Sequence, residues 1–189
     1  MRHTSDTINP AASRDRPGRS CPSQPYTLFC KKMPEHTLHE LVEAILSGQD
    51  GRAEQALSAL TYECASLNIE ALAATLAQSL PHAGADGRWW IARALAALAA
   101  PQSVPVLIQM MDDPQVDVRA CAALALGELH AHCGRKAAVA LAGHLDDASA
   151  HVAEICSASL GRIGAAAVPA LLRALEQGAA LERVRAAKS

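Results

Sequence analysis

His130, His132 and Cys133 stand within four residues of one another, with His144 and His151 further on. Imidazole and thiolate are zinc donors, but zinc needs three or four of them converging. Residues 130–134 read as a loop between helices, and no second donor pair repeats the spacing, so neither a metal nor any cofactor is expected. The cysteines, at 21, 30, 64, 121, 133 and 156, form no CxxC pair. No secretory apolar stretch opens the sequence, so reduced thiols and a cytoplasmic location are expected. Cys64, Cys121 and Cys156 fall on helical patterns, where a thiol serves as a small apolar side chain. No Ser-His-Asp set, phosphate loop or carboxylate pair emerges, so no catalytic residue is nominated and no enzymatic activity is expected.

Charge separates the chain into two parts. Residues 1–32 carry six basic side chains against Asp6 and Asp15, with Pro10, Pro17, Pro22 and Pro25 and no apolar period. They read as a disordered basic tail, and Met33, directly after it, as an alternative start of translation. The overall charge of −2 leaves the rest of the chain acidic. Nucleic acid is therefore a disfavoured partner, because a phosphate track needs a basic stripe. The uncharged run Ala94–Met111 has the length of a membrane span. Pro101, Gln102, Ser103 and Pro105 divide it into two helices, so no membrane association is expected.

From Thr37 the chain reads as paired helices at about 38–46, 52–66, 68–80, 87–99, 103–111, 114–129, 136–145, 149–163, 166–177 and from 180 onward. Thr37-Leu38-His39-Glu40 has the form of a capping box, Asn68 and Asp86 are expected to cap later helices, and Ser103 opens a short helix with Pro105 in its first turn. Short turns make successive helices antiparallel. Residues 33–189 thus form an all-α domain of about five hairpins, the last incomplete. Six residues, Leu107, Asp112, Asp113, Val118, Leu126 and Gly127, recur as Leu141, Asp146, Asp147, Val152, Leu160 and Gly161, each 34 positions later. A fixed period of this length marks stacked hairpins, each covering the apolar side of its neighbour. The turn aspartates should accept hydrogen bonds from the next helix's first N–H groups, and Gly127 and Gly161 should permit close helix approach. Glu182, Arg183, Arg185 and Lys188 suggest that the last helix is a polar cap.

The run Val104-Pro105-x-Leu107, Asp112-Asp113-Pro114-x-x-x-Val118-Arg119, Ala122-Ala123-x-x-Leu126-Gly127 resembles HEAT repeats. The resemblance is to the short HEAT-like class of phycobilisome lyase proteins. A weaker copy contains Asp146-Asp147, Val152 and Leu160-Gly161-x-x-Gly164. Val168-Pro169-x-Leu171-Leu172 and Val184-Arg185-x-Ala187 open the two helices of the last unit. The resemblance implies a right-handed α-α superhelix, a HEAT-like α-solenoid, with each second helix on the concave, partner-binding side. It also implies that the arginine at the Arg119 place pairs with a turn aspartate of an adjacent unit, a ladder that Ala153 would break in the next one. The implied concave face carries Trp89, Arg93, Asp117, Arg119, Leu124, Glu128, His151, Glu154 and Arg162.

Adjacent tryptophans on a helix point about 100° apart. Aligning Trp90 with Val118 buries Trp90 and leaves Trp89 as an exposed anchor, whose loss should leave folding nearly intact. The function implied is a non-catalytic scaffold or assembly adaptor that binds another protein. A lyase-type subunit acting with a partner in chromophore attachment is the alternative, and a nucleic-acid-binding HEAT-like module the weaker one. The diiron hydroxylases of the HEAT-like class carry His-Glu pairs at the starts of second helices. Here Ala120-Cys121 and Glu154-Ile155 stand there, and the chain's His-Glu pair, His39-Glu40, is on a first helix, so that activity is not implied.

Overall fold

The computed structural model describes residues 38–63 and 68–189, which contain ten α-helices and no strand. They are α1 (Leu38–Leu46), α2 (Asp50–Glu63), α3 (Ile69–Ser79), α4 (Ala85–Leu98), α5 (Ser103–Met110), α6 (Val116–Glu128), α7 (His130–Gly143), α8 (Ala150–Ile163), α9 (Val168–Gln177) and α10 (Ala180–Lys188). Consecutive pairs form five hairpins stacked side by side, and the second helices α2, α4, α6, α8 and α10 make one continuous layer. The expected all-α HEAT-like solenoid is the architecture found. The basic tail, the alternative start at Met33 and the Thr37 cap lie outside the described residues.

Composition explains the layering. In α6 the apolar residues are not confined to one stripe, and Val118, Cys121, Ala122, Ala125 and Leu126 are all buried. A helix apolar on several sides needs neighbours on several sides, and α6 lies between α4 and α8 with α5 and α7 behind it. Small side chains let the second helices approach closely. A Cβ at Gly127 would lie 2.5 Å from Ser159 Oγ and 3.1 Å from Ser159 Cα on α8. Gly161 differs from its repeat partner: a Cβ there would meet the backbone oxygen of Ser189 and no neighbouring helix.

A side chain caps α3, whereas Asp113 and Asp147 bond the residue just before α6 and α8 and form the turns that lead into them. Asn68 Oδ1 accepts from the Ala71 N–H at 3.0 Å. Asp113 Oδ1 accepts from the Gln115 N–H at 2.9 Å, and Asp147 Oδ1 from the Ser149 N–H at 2.8 Å. One expected cap is corrected. Gly84 precedes α4, leaving Asp86 inside its first turn. Ser103 opens α5 as expected; it is fully buried, and its hydroxyl makes no hydrogen bond.

That hydroxyl gives a prediction with an unusual sign. Burying an unpaired hydroxyl costs about 1–3 kcal/mol, so Ser103→Ala should stabilise the fold by about 1 kcal/mol. Ser159, equally buried, donates to the Ala123 carbonyl at 2.8 Å, and Ser159→Ala should destabilise. Urea unfolding of the two variants checks the pair; equal signs would contradict it.

The structure also sets the register of the repeat. Leu95, Leu126 and Leu160 are each fully buried on α4, α6 and α8, so the second unit is 31 residues from the third and the third 34 from the fourth. The difference lies at one corner. Leu95 precedes Leu107 by 12 residues, whereas Leu126 precedes Leu141 by 15. The three extra residues fall in the segment His130–Cys133, which is an added helical turn and not the expected loop. Gly134, at φ 56° and ψ −163°, ends that turn and redirects the chain into the rest of α7.

At the last hairpin one reading changes. In α10, Ala186 is buried and Val184 is 51% exposed, so Val184-Arg185 does not occupy the place of Val118-Arg119. Arg183 and Lys188 are exposed on α10, while Val168, Leu172 and Leu175 form an exposed apolar stripe on α9. Ala150–Gln177 is a continuous helical stretch apolar enough by composition to cross a membrane. Gly164, at φ 65° and ψ −129°, breaks it between α8 and α9.

Candidate interaction face of the second helices

The three central second helices present one gridded surface. Positions 117, 120, 121, 124 and 128 of α6 share a side by helical period. Adding 34 gives 151, 154, 155, 158 and 162 on α8, and subtracting 31 gives 86, 89, 90, 93 and 97 on α4. Trp89, Arg93, Asp117, Leu124, Glu128, His151, Glu154 and Arg162 therefore all belong to this side, as expected. At its centre is a cavity of about 40 Å³, walled by Trp89, Ala120, Cys121, Leu124 and Ile155, with exposed Asp117 and His151 at the edge. Leu124 and Ile155 are half-buried, which leaves an apolar floor open to solvent.

Trp89 is not the exposed anchor expected from sequence. It is 7% exposed and Trp90 2%, their rings meeting edge to face at 4.8 Å. Trp90 Nε1 donates to Asp50 Oδ1 of α2 at 3.2 Å, satisfying the indole N–H inside the stack. The Arg93 guanidinium lies 5.1 Å from both ring centres, close enough for a cation–π contact with each. Trp89 thus builds the floor of the face, and Arg93 is held over it.

Arg119 is also reassigned. Its Nε and Nη2 grip both carboxylate oxygens of Asp147 at 2.9 Å, and its Nη1 donates to the Asp113 carbonyl at 2.9 Å. This fork ties the turn of its own unit to the turn of the next. Arg88 repeats the arrangement one unit earlier, with Nε 2.6 Å and Nη2 3.0 Å from Asp113 and Nη1 bonded to the Ala83 carbonyl. Among the described residues the arginine–aspartate ladder has two rungs, and α8 extends it no further because Ala153 replaces the arginine. Arg88 escaped the sequence reading because it aligns with Arg119 only at the 31-residue offset.

The Arg119 fork holds the Asp147 carboxyl below its usual value of 3.8, helped by the Ser149 N–H and His144, against a weaker opposing effect of burial. A depressed folded pKa contributes stability that is present above the unfolded value and is lost as pH falls through the folded one. Unfolding free energy should therefore drop below about pH 4, and Asp147→Asn should flatten that limb. Denaturant titrations at neutral and acid pH read the difference; parallel curves for the two proteins would contradict it.

At the far end of the face Glu128 reaches solvent, yet desolvation by the surrounding protein raises its pKa, with Arg162 and Arg93 pulling it down. Glu128 on α6 thus lies within reach of two arginines, Arg162 on α8 and Arg93 on α4. Near the opposite end stand Asp117, His151 and Glu154, all exposed. Cys133 is buried, and its thiol donates to the Leu126 carbonyl at 2.9 Å, while His130 and His132 are exposed. Among the described residues, no three His, Cys, Asp or Glu side chains gather as metal ligands. Desolvation pushes the Cys133 thiol to about 11 and, with Asp147 adding to it, the Cys156 thiol to about 12, so both stay protonated at neutral pH.

Comparison with known proteins places this geometry. Residues 71–155 match the family model for HEAT repeats, and residues 152–177 match that for the PBS lyase HEAT-like repeat. Among solved structures, the complex of CpcE and CpcF of phycocyanin lyase from Nostoc sp. is similar at a TM-score of 0.55 and 24% identity. That match covers 87% of this chain and 67% of the other, and at such identity the likeness is one of fold. No curated protein matches the sequence.

Proposed function

We propose that this chain, which belongs to the HEAT-like repeat proteins, is an interaction module that holds another protein against the open face of its second helices. The observation that carries the reading is the half-buried apolar floor of Leu124 and Ile155 over Trp89, bordered by charges of both signs. An apolar centre with a polar border is the usual anatomy of a protein-binding patch. The floor is set on helices locked to one another, so little order has to be gained on binding. Tagged wild type and Leu124→Glu should be used to capture partners from the native host, with yields compared by mass spectrometry. A species recovered by wild type and lost with the folded variant supports the reading; equal recovery by both sinks it.

A lyase-type subunit is the second reading, favoured by the likeness to a phycocyanin lyase complex of two chains. The cavity on this face, about 40 Å³, has no room for a tetrapyrrole, so a partner chain would have to complete any bilin site. Bilin titration with and without a candidate partner chain decides it. An absorbance shift that requires both chains supports the lyase reading.

A further inference from the structure

The exposed stripe on α9 repeats a surface that the stack covers elsewhere. Aligning the two Val-Pro-x-Leu openings sets Val168, Leu172 and Leu175 at the places of Val104, Ile108 and Met111 on α5. There α7 packs on α5, with Val104 and Met111 buried and Ile108 half-buried. On α9 the same positions are 48%, 52% and 37% exposed. α9 meets α7 across a groove lined by Ala170, Ala174 and Gln177, and by helical period the stripe lies on the opposite side. On α10, Arg185 and Ser189 meet Ser157 of α8, which leaves Ala180, Val184 and Ala187 exposed on the far side. The two helices of the last hairpin thus share one apolar surface turned away from the stack.

We propose that a second copy of this chain covers this surface, the last hairpin of each copy meeting the other end to end about a two-fold axis. A contiguous apolar patch on two helices marks an association surface. The choice of a second copy follows from where apolar surface is available. Among the described residues no large apolar side chain of α1 to α4 is exposed, and α1 buries Leu41, Val42 and Ile45. Head-to-tail stacking of copies would therefore set leucine and valine against polar helices. The α9–α10 surface finds its apolar counterpart in itself, and a patch that meets itself does so with two-fold symmetry. With 10 residues in α9 and a second helix beside it, each copy offers about 15 Å by 20 Å of helix surface. Pairing two such surfaces removes about 1,000 Å² from water, the lower limit of a specific interface, so the dimer is a reversible one. The grid of α4, α6 and α8 stays open in both copies, and on the interaction reading one dimer presents two partner sites.

Sedimentation equilibrium of the full chain tests this. The wild type should approach twice the monomer mass as concentration rises through about 100 μM, and dissociate on dilution. Leu172→Glu puts a carboxylate into the middle of the contact and should remain monomeric over the same range. Its circular dichroism should be unchanged, because the position is exposed in the monomer. Val184→Glu, on the other helix, should weaken the dimer about ten-fold. X-ray scattering in solution should give the dimer a longest dimension close to twice that of the monomer.

A wild type that stays monomeric throughout would overturn the proposal. So would a dimer that survives Leu172→Glu, or one that Leu124→Glu dissolves, because the contact would then lie elsewhere. Leu124 is outside this contact, so loss of the dimer leaves the interaction reading standing, and undiminished capture by Leu124→Glu leaves the dimer standing.

Discussion

Replacing Arg119 by methionine is expected to cost about 3–5 kcal/mol, because it strands the Asp147 carboxylate in a site only 6% exposed. The Arg119 side chain is itself only 13% exposed, so water cannot readily take its place. The loss goes beyond one ion pair, since the same guanidinium binds the Asp113 carbonyl and the two turns separate together. Lysine should restore little, because a single ammonium cannot reproduce the two-pronged grip. Changing Asp147 to leucine in the Arg119→Met background should recover part of the loss by removing the stranded charge. Denaturant unfolding of wild type, Arg119→Met, Asp147→Leu and the double variant gives the cycle. A loss below about 0.5 kcal/mol would put the pair among exposed ones of little consequence.

Trp89→Ala is expected to cost about 3–5 kcal/mol, the range for emptying a large aromatic site. Sequence alone pointed the other way, to a tolerated change at an exposed position. The structure buries Trp89 against Trp90 and sets Arg93 on both rings, so alanine leaves a void and removes half of the arginine's support. Phenylalanine should recover most of the stability. Unfolding followed by circular dichroism and by the remaining Trp90 emission measures it. A cost below about 1 kcal/mol would return Trp89 to the surface.

The different fates of these two residues show what the sequence could and could not convey. Helix existence was legible almost throughout, because leucine and alanine at helical spacing leave few alternatives, and the Asp113 and Asp147 turns announced themselves. Eight of the nine nominated face residues do share a side, since the 34-residue copy from α6 to α8 transfers every position intact. Arg119 was the exception. A side chain three residues into a helix can reach outward or fold back onto the turn, and only the position of the neighbouring unit decides.

The Trp89 error has a single cause. Aligning Trp90 with Val118 assumed an offset of 28 residues, whereas the buried leucines set it at 31. Gly87 takes the valine's place, and glycine offers no apolar signal by which to recognise it. Arg88 was missed through the same slip. The misreading of α10 arose similarly, because a two-residue connection follows α9 where five separate α5 from α6, and Val184-Arg185 imitates Val118-Arg119 two positions out of phase.

The added turn His130–Cys133 shows where this architecture tolerates change. Three extra residues enter at that corner and Gly134 swings the chain back, yet Leu141 and Leu160 are as deeply buried as their counterparts one unit earlier. Length is thus absorbed on the side away from the grid formed by α4, α6 and α8. A peptide tag or fluorophore-bearing loop spliced in at Gly134 should ride on the outside of the molecule without altering the spacing of the surface opposite.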